Sequence, residues 1–226
     1  MPEKSEAESP KLRNRIEGLS DLVFGLALSL GAIALIEHIP TTAGQLSGDV
    51  VNFGFSFLII VGIWLGYTRI ATLLPAETRI SMLLNMALLF CVALEPFLYY
   101  VQQTTTYLPF LDYSSEFYGL DLGFMFAILG AMTYMIVPNA RSRKTTLNVT
   151  PLGSFKTTVA VDGIASAMFI VSTLGIFWVQ IPGIGFLRFL IWYCALSIFF
   201  GVRLLRLADR KGEPQEATGP SRTGAN

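Results

Sequence analysis

The chain has 226 residues, 53% of them hydrophobic and 14% charged, with a mean hydropathy of +0.57. A soluble domain carries about 25% charge, so this deficit excludes an ordinary water-soluble globule. A formal net charge of +0 argues against a nucleic-acid partner.

Taken in chain order, Met1–Pro10 is rich in Glu, Ser and Pro, and a disordered tail is expected over 1–14. A helix needs about 20 mostly apolar residues to cross a bilayer. Six stretches qualify within 15–208, namely Leu19–Ile36, Val50–Ala71, Ile80–Val101, Phe117–Val137, Val159–Ile181 and Leu187–Leu207. Pro40, Pro75, Pro138 and the Pro182-Gly183 pair punctuate several ends. A second disordered tail is expected over 209–226. The fold class is therefore an all-α membrane protein, a six-transmembrane-helix bundle.

Basic residues cluster on the side that is retained in the cytoplasm. All 16 Lys and Arg except Arg188 fall before the first span, in or beside the second and fourth connections, or at and after the end of the sixth span. The connections Glu37–Asp49 and Gln102–Glu116 carry none. An even number of spans with both termini inside satisfies this asymmetry. Cleavage of the first span as a signal peptide is not expected, because Glu3, Glu6, Glu8, Glu17 and Asp21 crowd what should be a positively charged region. Tyr99, Tyr100, Tyr107, Tyr113 and Tyr118 read as an aromatic belt at the outer interface. Cys91 and Cys194 lie in apolar runs without a CxxC or Cys/His cluster; they read as small buried hydrophobes, not a disulfide framework or zinc site.

Charged groups in hydrocarbon cost about 2.5–3.5 kcal/mol on insertion scales, so Asp21, Glu95 and Asp162 each need a partner or water. So does Asn85. Arg15-Ile16-Glu17-Gly18-Leu19-Ser20-Asp21 sits at the cytoplasmic mouth of span one. Ser20 and Asp21 read either as an ordinary N-cap with an acidic first turn or as part of a polar network, with Arg15 a candidate partner of Asp21. At about 100° per residue, Leu26, Ser29, Leu30 and Ile33 share one stripe of this span, with Asp21 pointing elsewhere. Gly25, Ser29 and Ala32 form a small-residue series that also fits plain helix–helix packing with no pore.

Arg15-xxx-Leu19-Ser20-Asp21 resembles the R-x-x-x-F-S-D signature of the transmembrane protein 175 potassium channels. Ser56-Phe57-Leu58-Ile59-Ile60, with Trp64, Tyr67 and Arg69, resembles that family's second helix. Leu84 through Phe90, ending in Glu95-Pro96-Phe97, resembles its third. A single signature copy resembles the single-repeat prokaryotic form. The resemblance implies a homotetramer in a prokaryotic plasma membrane, with four copies of helix 1 around a central pore. It implies a potassium-preferring cation channel, with permeant K+ as its cargo and no cofactor. The constriction maps to Leu26 and the next turns to Leu30 and Ile33, while Ser29 falls where members often carry Ser or Thr. Arg15, Ser20, Asp21, Trp64 and Asn85 map to a structural network. Leu19 replaces the usual Phe, Tyr67 replaces a common His, and Gly25 and Gly31 make this helix smaller than is usual.

No TVGYG-like stretch is present, so a carbonyl-lined filter is not encoded. A ring of Leu26 side chains is expected to gate by dewetting, with Ser29 hydroxyls contributing selectivity. The rival class is a secondary transporter of a small solute or ion, which often shows internal repeats and broken helices. An intramembrane enzyme needs converging His, Cys or carboxylate groups, and the single histidine, His38, sits at the edge of span one.

Overall fold

The computed structural model describes residues 8–37, 39–71, 73, 78–142, 152–182 and 185–212. Six long helices carry the fold: α1 Glu8–Glu37, α2 Ala43–Ala71, α3 Arg79–Thr104, α4 Leu108–Ser142, α5 Leu152–Ser172 and α6 Leu187–Gly212. Each contains a stretch long and apolar enough to cross a membrane. This is the all-α six-span architecture that the sequence implies.

The helices run past the apolar stretches because polar residues cap them. Thr42 Oγ1 accepts from the Gln45 amide at 3.2 Å while Gln45 Oε1 accepts from the Thr41 amide at 2.9 Å. That pairing starts α2 at Ala43, inside the segment expected to be a connection. Thr78 caps α3 by accepting from the Ser81 amide at 3.3 Å. The connection expected at Gln102–Glu116 shrinks to three residues, and α4 begins at Leu108 with Pro109 in its first turn. α1 begins at Glu8, inside the stretch expected to be a tail, and α6 runs on to Gly212. The remaining tail positions, 1–7 and 213–226, lie outside the described residues.

α4 is the central post. Tyr118, Leu122, Met125, Phe126 and Leu129 are fully buried at helical spacing and pack against α3 on one side and α5 on the other. The Phe126 ring lies 4.7 Å from Phe199 of α6 and 5.6 Å from Phe169 of α5. On α2, Gly62 and Gly66 open the face toward α6. A Cβ at Gly66 would sit 2.8 Å from Leu129 and 2.9 Å from the Arg203 guanidinium. Through that gap Arg203 donates to the Gly62 carbonyl at 2.9 Å and to Asp162 at 3.3 Å, with its guanidinium 3.8 Å from the Phe199 ring centre. This one cation ties α2, α5 and α6 together and partners the buried Asp162.

The fifth span departs from expectation. It was expected to reach Ile181, but α5 stops at Ser172 and is followed by a 3-10 turn, Gly175–Phe177. A small hairpin comes next, β1 Gln180–Ile181 against β2 Gly185–Phe186 in antiparallel register. The cause is Arg188, which donates to the Ser172 carbonyl at 2.9 Å and the Thr173 carbonyl at 3.2 Å and so closes the helix end. Gly185 adopts φ +108°, a left-handed conformation that only glycine takes without strain. Trp178 stacks on Phe186 at 4.0 Å and covers the hairpin.

Two local readings need correction. Tyr107 and Tyr113 are exposed as a belt requires, but Tyr118 is fully buried and packs on Tyr99 at 5.7 Å. Tyr118 belongs to the core, with Tyr99 half-buried against it, because α4 begins earlier than expected and carries Tyr118 into the bundle. Cys91 is buried as expected, whereas Cys194 is exposed on the outer face of α6.

Candidate functional site

α1 is the least enclosed of the six spans. It leans on α3 and α2 through Ser20, Phe24 and Ala27, which are buried at one-turn spacing. The opposite side carries Leu26 (54% exposed), Leu30 (43%) and Ile33 (51%), with Ser29 exposed among them. The stripe obtained from helical spacing is thus an exposed, mostly apolar row that no helix covers among the described residues. Leu19, Leu22 and Ile36 extend it toward both ends. Gly25 and Ala32 flank it, also exposed.

Ser29 Oγ donates to the Gly25 carbonyl one turn back at 2.8 Å. Its proton is therefore held by its own helix, and the oxygen is left as an acceptor on the exposed side. A hydroxyl in this state offers a cation a neutral oxygen without first breaking a bond.

The polar cluster at the start of the span lies mid-helix. Because α1 begins at Glu8, Ser20 and Asp21 are not an N-cap. Ser20 Oγ donates back to the Ile16 carbonyl at 2.8 Å and also meets the Tyr67 hydroxyl of α2 at 2.8 Å. Asp21 Oδ1 accepts from the Trp64 indole of α2 at 3.1 Å. The Phe24 ring rests 5.8 Å from Tyr67. Tyr67, the departure from the common His, thus supplies a hydroxyl at the partner position.

Three of the expected network residues, Ser20, Asp21 and Trp64, come together with Tyr67. Two do not join them. Arg15 is exposed and forms no hydrogen bond or ion pair with Asp21 among the described residues. Asn85 is buried on α3, and its Oδ1 has no partner among the described residues. Arg15 sits in the third turn of a longer helix, with its side chain exposed.

A second polar centre lies deeper. Glu95 is fully buried and accepts from Ser56 Oγ of α2 at 2.9 Å and from the Tyr118 hydroxyl of α4 at 3.2 Å. The sequence flags Glu95 as a charge needing a partner, but Ser56 and Tyr118 carry no pattern that announces the link. Among the described residues no group of three or more His, Cys, Asp or Glu converges to hold a metal ion.

Six apolar helices, with buried charges paired or hydrogen-bonded inside, define a multi-pass α-helical membrane protein. Residues 15–96, from Arg15 in α1 to Pro96 in α3, match the family described as endosomal/lysosomal potassium channel TMEM175. That part of the chain is similar to this potassium-channel family, and it holds the signature-like run, the apolar row and the Ser20–Tyr67 and Asp21–Trp64 contacts. No curated protein and no solved structure matches the chain.

Proposed function

We propose that the chain is a potassium-preferring cation channel, a homotetramer in which four α1 helices line a central pore. Both termini face the cytoplasm, and the membrane is the plasma membrane of a prokaryotic cell. Leu26 forms the constriction, with Leu30 and Ile33 lining the next turns and Ser29 contributing neutral oxygens. A ring of leucines excludes water when narrow and conducts when the helices separate. Potassium gives up its water shell more readily than sodium, so acceptor oxygens behind the gate favour it.

One observation carries this reading. Within the part of the chain that matches a potassium-channel family, the row Leu26–Ser29–Leu30–Ile33 is exposed on the least buried span. Four copies meeting on this face would cover it. Asp21, Ser20, Trp64 and Tyr67 then act as braces that hold α1 against α2.

The test is purified protein in a planar bilayer under potassium/sodium gradients. Current steps with a reversal potential shifted toward the potassium equilibrium value are expected. Saturable, ion-coupled uptake without current steps would identify a secondary transporter instead.

A further inference from the structure

Where α1 finishes, α2 begins and α3 finishes, the three helices leave a cavity of about 100 Å³ between them. That is room for several waters or one small molecule. Asp49, half-buried in the second turn of α2, stands in its wall, with Asn52 one turn further in and Ser56 another turn beyond. Tyr99 and Tyr100 of α3 line the opposite wall, and Phe53 and Pro96 supply apolar surface.

Three hydrogen bonds orient oxygens around this space. Ser56 Oγ gives its proton to Glu95 at 2.9 Å. Thr104 Oγ1 gives its proton to the Tyr100 carbonyl at 3.0 Å. The Asn52 amide donates to Gln103 Oε1 at 2.9 Å. Ser56 and Thr104 thus present acceptor oxygens beside the carboxylate of Asp49, while Asn52, Gln103 and the tyrosine hydroxyls can both donate and accept, and the buried carboxyl of Glu95 sits directly behind Ser56. No ion pair involves Asp49 or Glu95 among the described residues. Among the described residues the lining holds one carboxylate and no Lys or Arg.

We propose that this cavity binds a small organic ammonium ion with an apolar body. A bare metal ion is served by six or more oxygens in a closed shell, and these walls are mostly ring and hydrocarbon. An ammonium group needs fewer contacts: a carboxylate, a few acceptors and an aromatic face. Asp49, Asn52 and the tyrosine rings supply those, and Phe53 with Pro96 receives the apolar part. Gly31 and Leu35 close the cavity from α1, on the side of that helix facing away from Ile33. An occupant therefore touches the back of the helix whose front carries the apolar row.

Isothermal titration of the purified full chain with phenethylammonium chloride, corrected for the heat of empty micelles, tests this. Phenethyl alcohol, the same body without the charge, is the comparison. Saturable binding of the ammonium and none of the alcohol is expected. Asp49→Asn should weaken binding about tenfold or more, the scale of a lost charge-assisted contact. Tyr100→Leu should weaken it by about threefold, the scale of an exposed cation–π contact. Both variants should elute and melt as the parent does.

Equal binding of the alcohol would overturn the proposal, as would undiminished affinity in both variants. Displacement of the amine by potassium chloride at matched concentration would overturn it in favour of an inorganic-cation site. No heat above the micelle blank would also end it. Conduction is not read in any arm, so failure here leaves the channel reading to its own test.

Discussion

The hydroxyls of Ser20 and Tyr67 lie 2.8 Å apart in the buried seam between α1 and α2. This bond, with the Asp21–Trp64 contact one residue on, sets how the first helix leans on the second. Replacing Tyr67 by Phe removes the acceptor-donor partner and keeps the ring against Phe24. Loss of one buried hydrogen bond costs about 1 kcal/mol. Thermal unfolding in detergent should show a modestly lower midpoint for Tyr67→Phe and a smaller change for Tyr67→His, which restores a polar partner. A Phe variant as stable as the parent would show that the seam does not depend on this bond.

Asp21→Ala breaks the Trp64 contact where α1 must hold its angle. The expected first effect is loss of the proposed tetramer, read by size-exclusion chromatography with light scattering, before any change in ion preference. A variant that assembles normally yet selects differently would move Asp21 from bracing to permeation.

Much of this was legible in the sequence, and the reasons differ by element. Six spans follow from apolar length alone, since the hydrocarbon thickness fixes how long each must be. The exposed stripe on α1 follows from helical spacing, because period and exposure are the same geometry. Element ends were less legible. Thr42 with Gln45, and Arg188 acting from another helix, decide where α2 begins and α5 ends, and the second of these is a tertiary contact that no local pattern announces. Ser56 and Tyr118 around Glu95 stayed hidden for the same reason, since residues 39 and 23 positions away in sequence meet only after folding.

Leu26→Ala trims a side chain that is 54% exposed in the protomer, so the fold of the single chain should be nearly unaffected. In the proposed tetramer it widens the constriction. Leak conductance in planar bilayers should rise by about tenfold, the order expected when about 1.4 kcal/mol of a dewetting barrier is removed. Unchanged current would count heavily against Leu26 as the gate. Ser29→Ala in the same assay should lower the preference for potassium over sodium while conduction persists.

Asp162 and Arg203 make a further stability prediction. Asp162 is fully buried, and Arg203 reaches it by crossing Gly66 of α2. Removing one partner of a buried pair costs about 3–5 kcal/mol, because the other charge is left without compensation. Asp162→Ala should therefore lower the melting temperature sharply. Gly66→Ala should do so as well, since its methyl group would displace the guanidinium. The paired replacement of Asp162 by Ala and Arg203 by Met should recover part of the loss. If the double variant is worse than the sum of its parts, the pair is not the source of the cost.

Arg188 is the clearest case of one residue holding a bundle end. It is fully buried, donates to Asp112 Oδ1 at 2.7 Å and to the Ser115 hydroxyl, and caps α5 through two carbonyls. Glu116 stands 3.6 Å away, and the Trp178 ring lies 5.0 Å from the guanidinium carbon. These groups lie on several sides of a planar fork that a lysine cannot reproduce with one ammonium. It is also the one basic residue that stands apart from the clusters of Lys and Arg in the sequence, and its acidic partners explain how it is tolerated there. Arg188→Lys should lose more than about 2 kcal/mol, the scale of a charged hydrogen bond left unmade. Protease should then cut between Ser172 and Arg188, where the 3-10 turn and hairpin lose their anchor. A lysine variant that melts with the parent and resists cleavage there would mean that the aromatic stack of Trp178 on Phe186 holds the hairpin without the guanidinium.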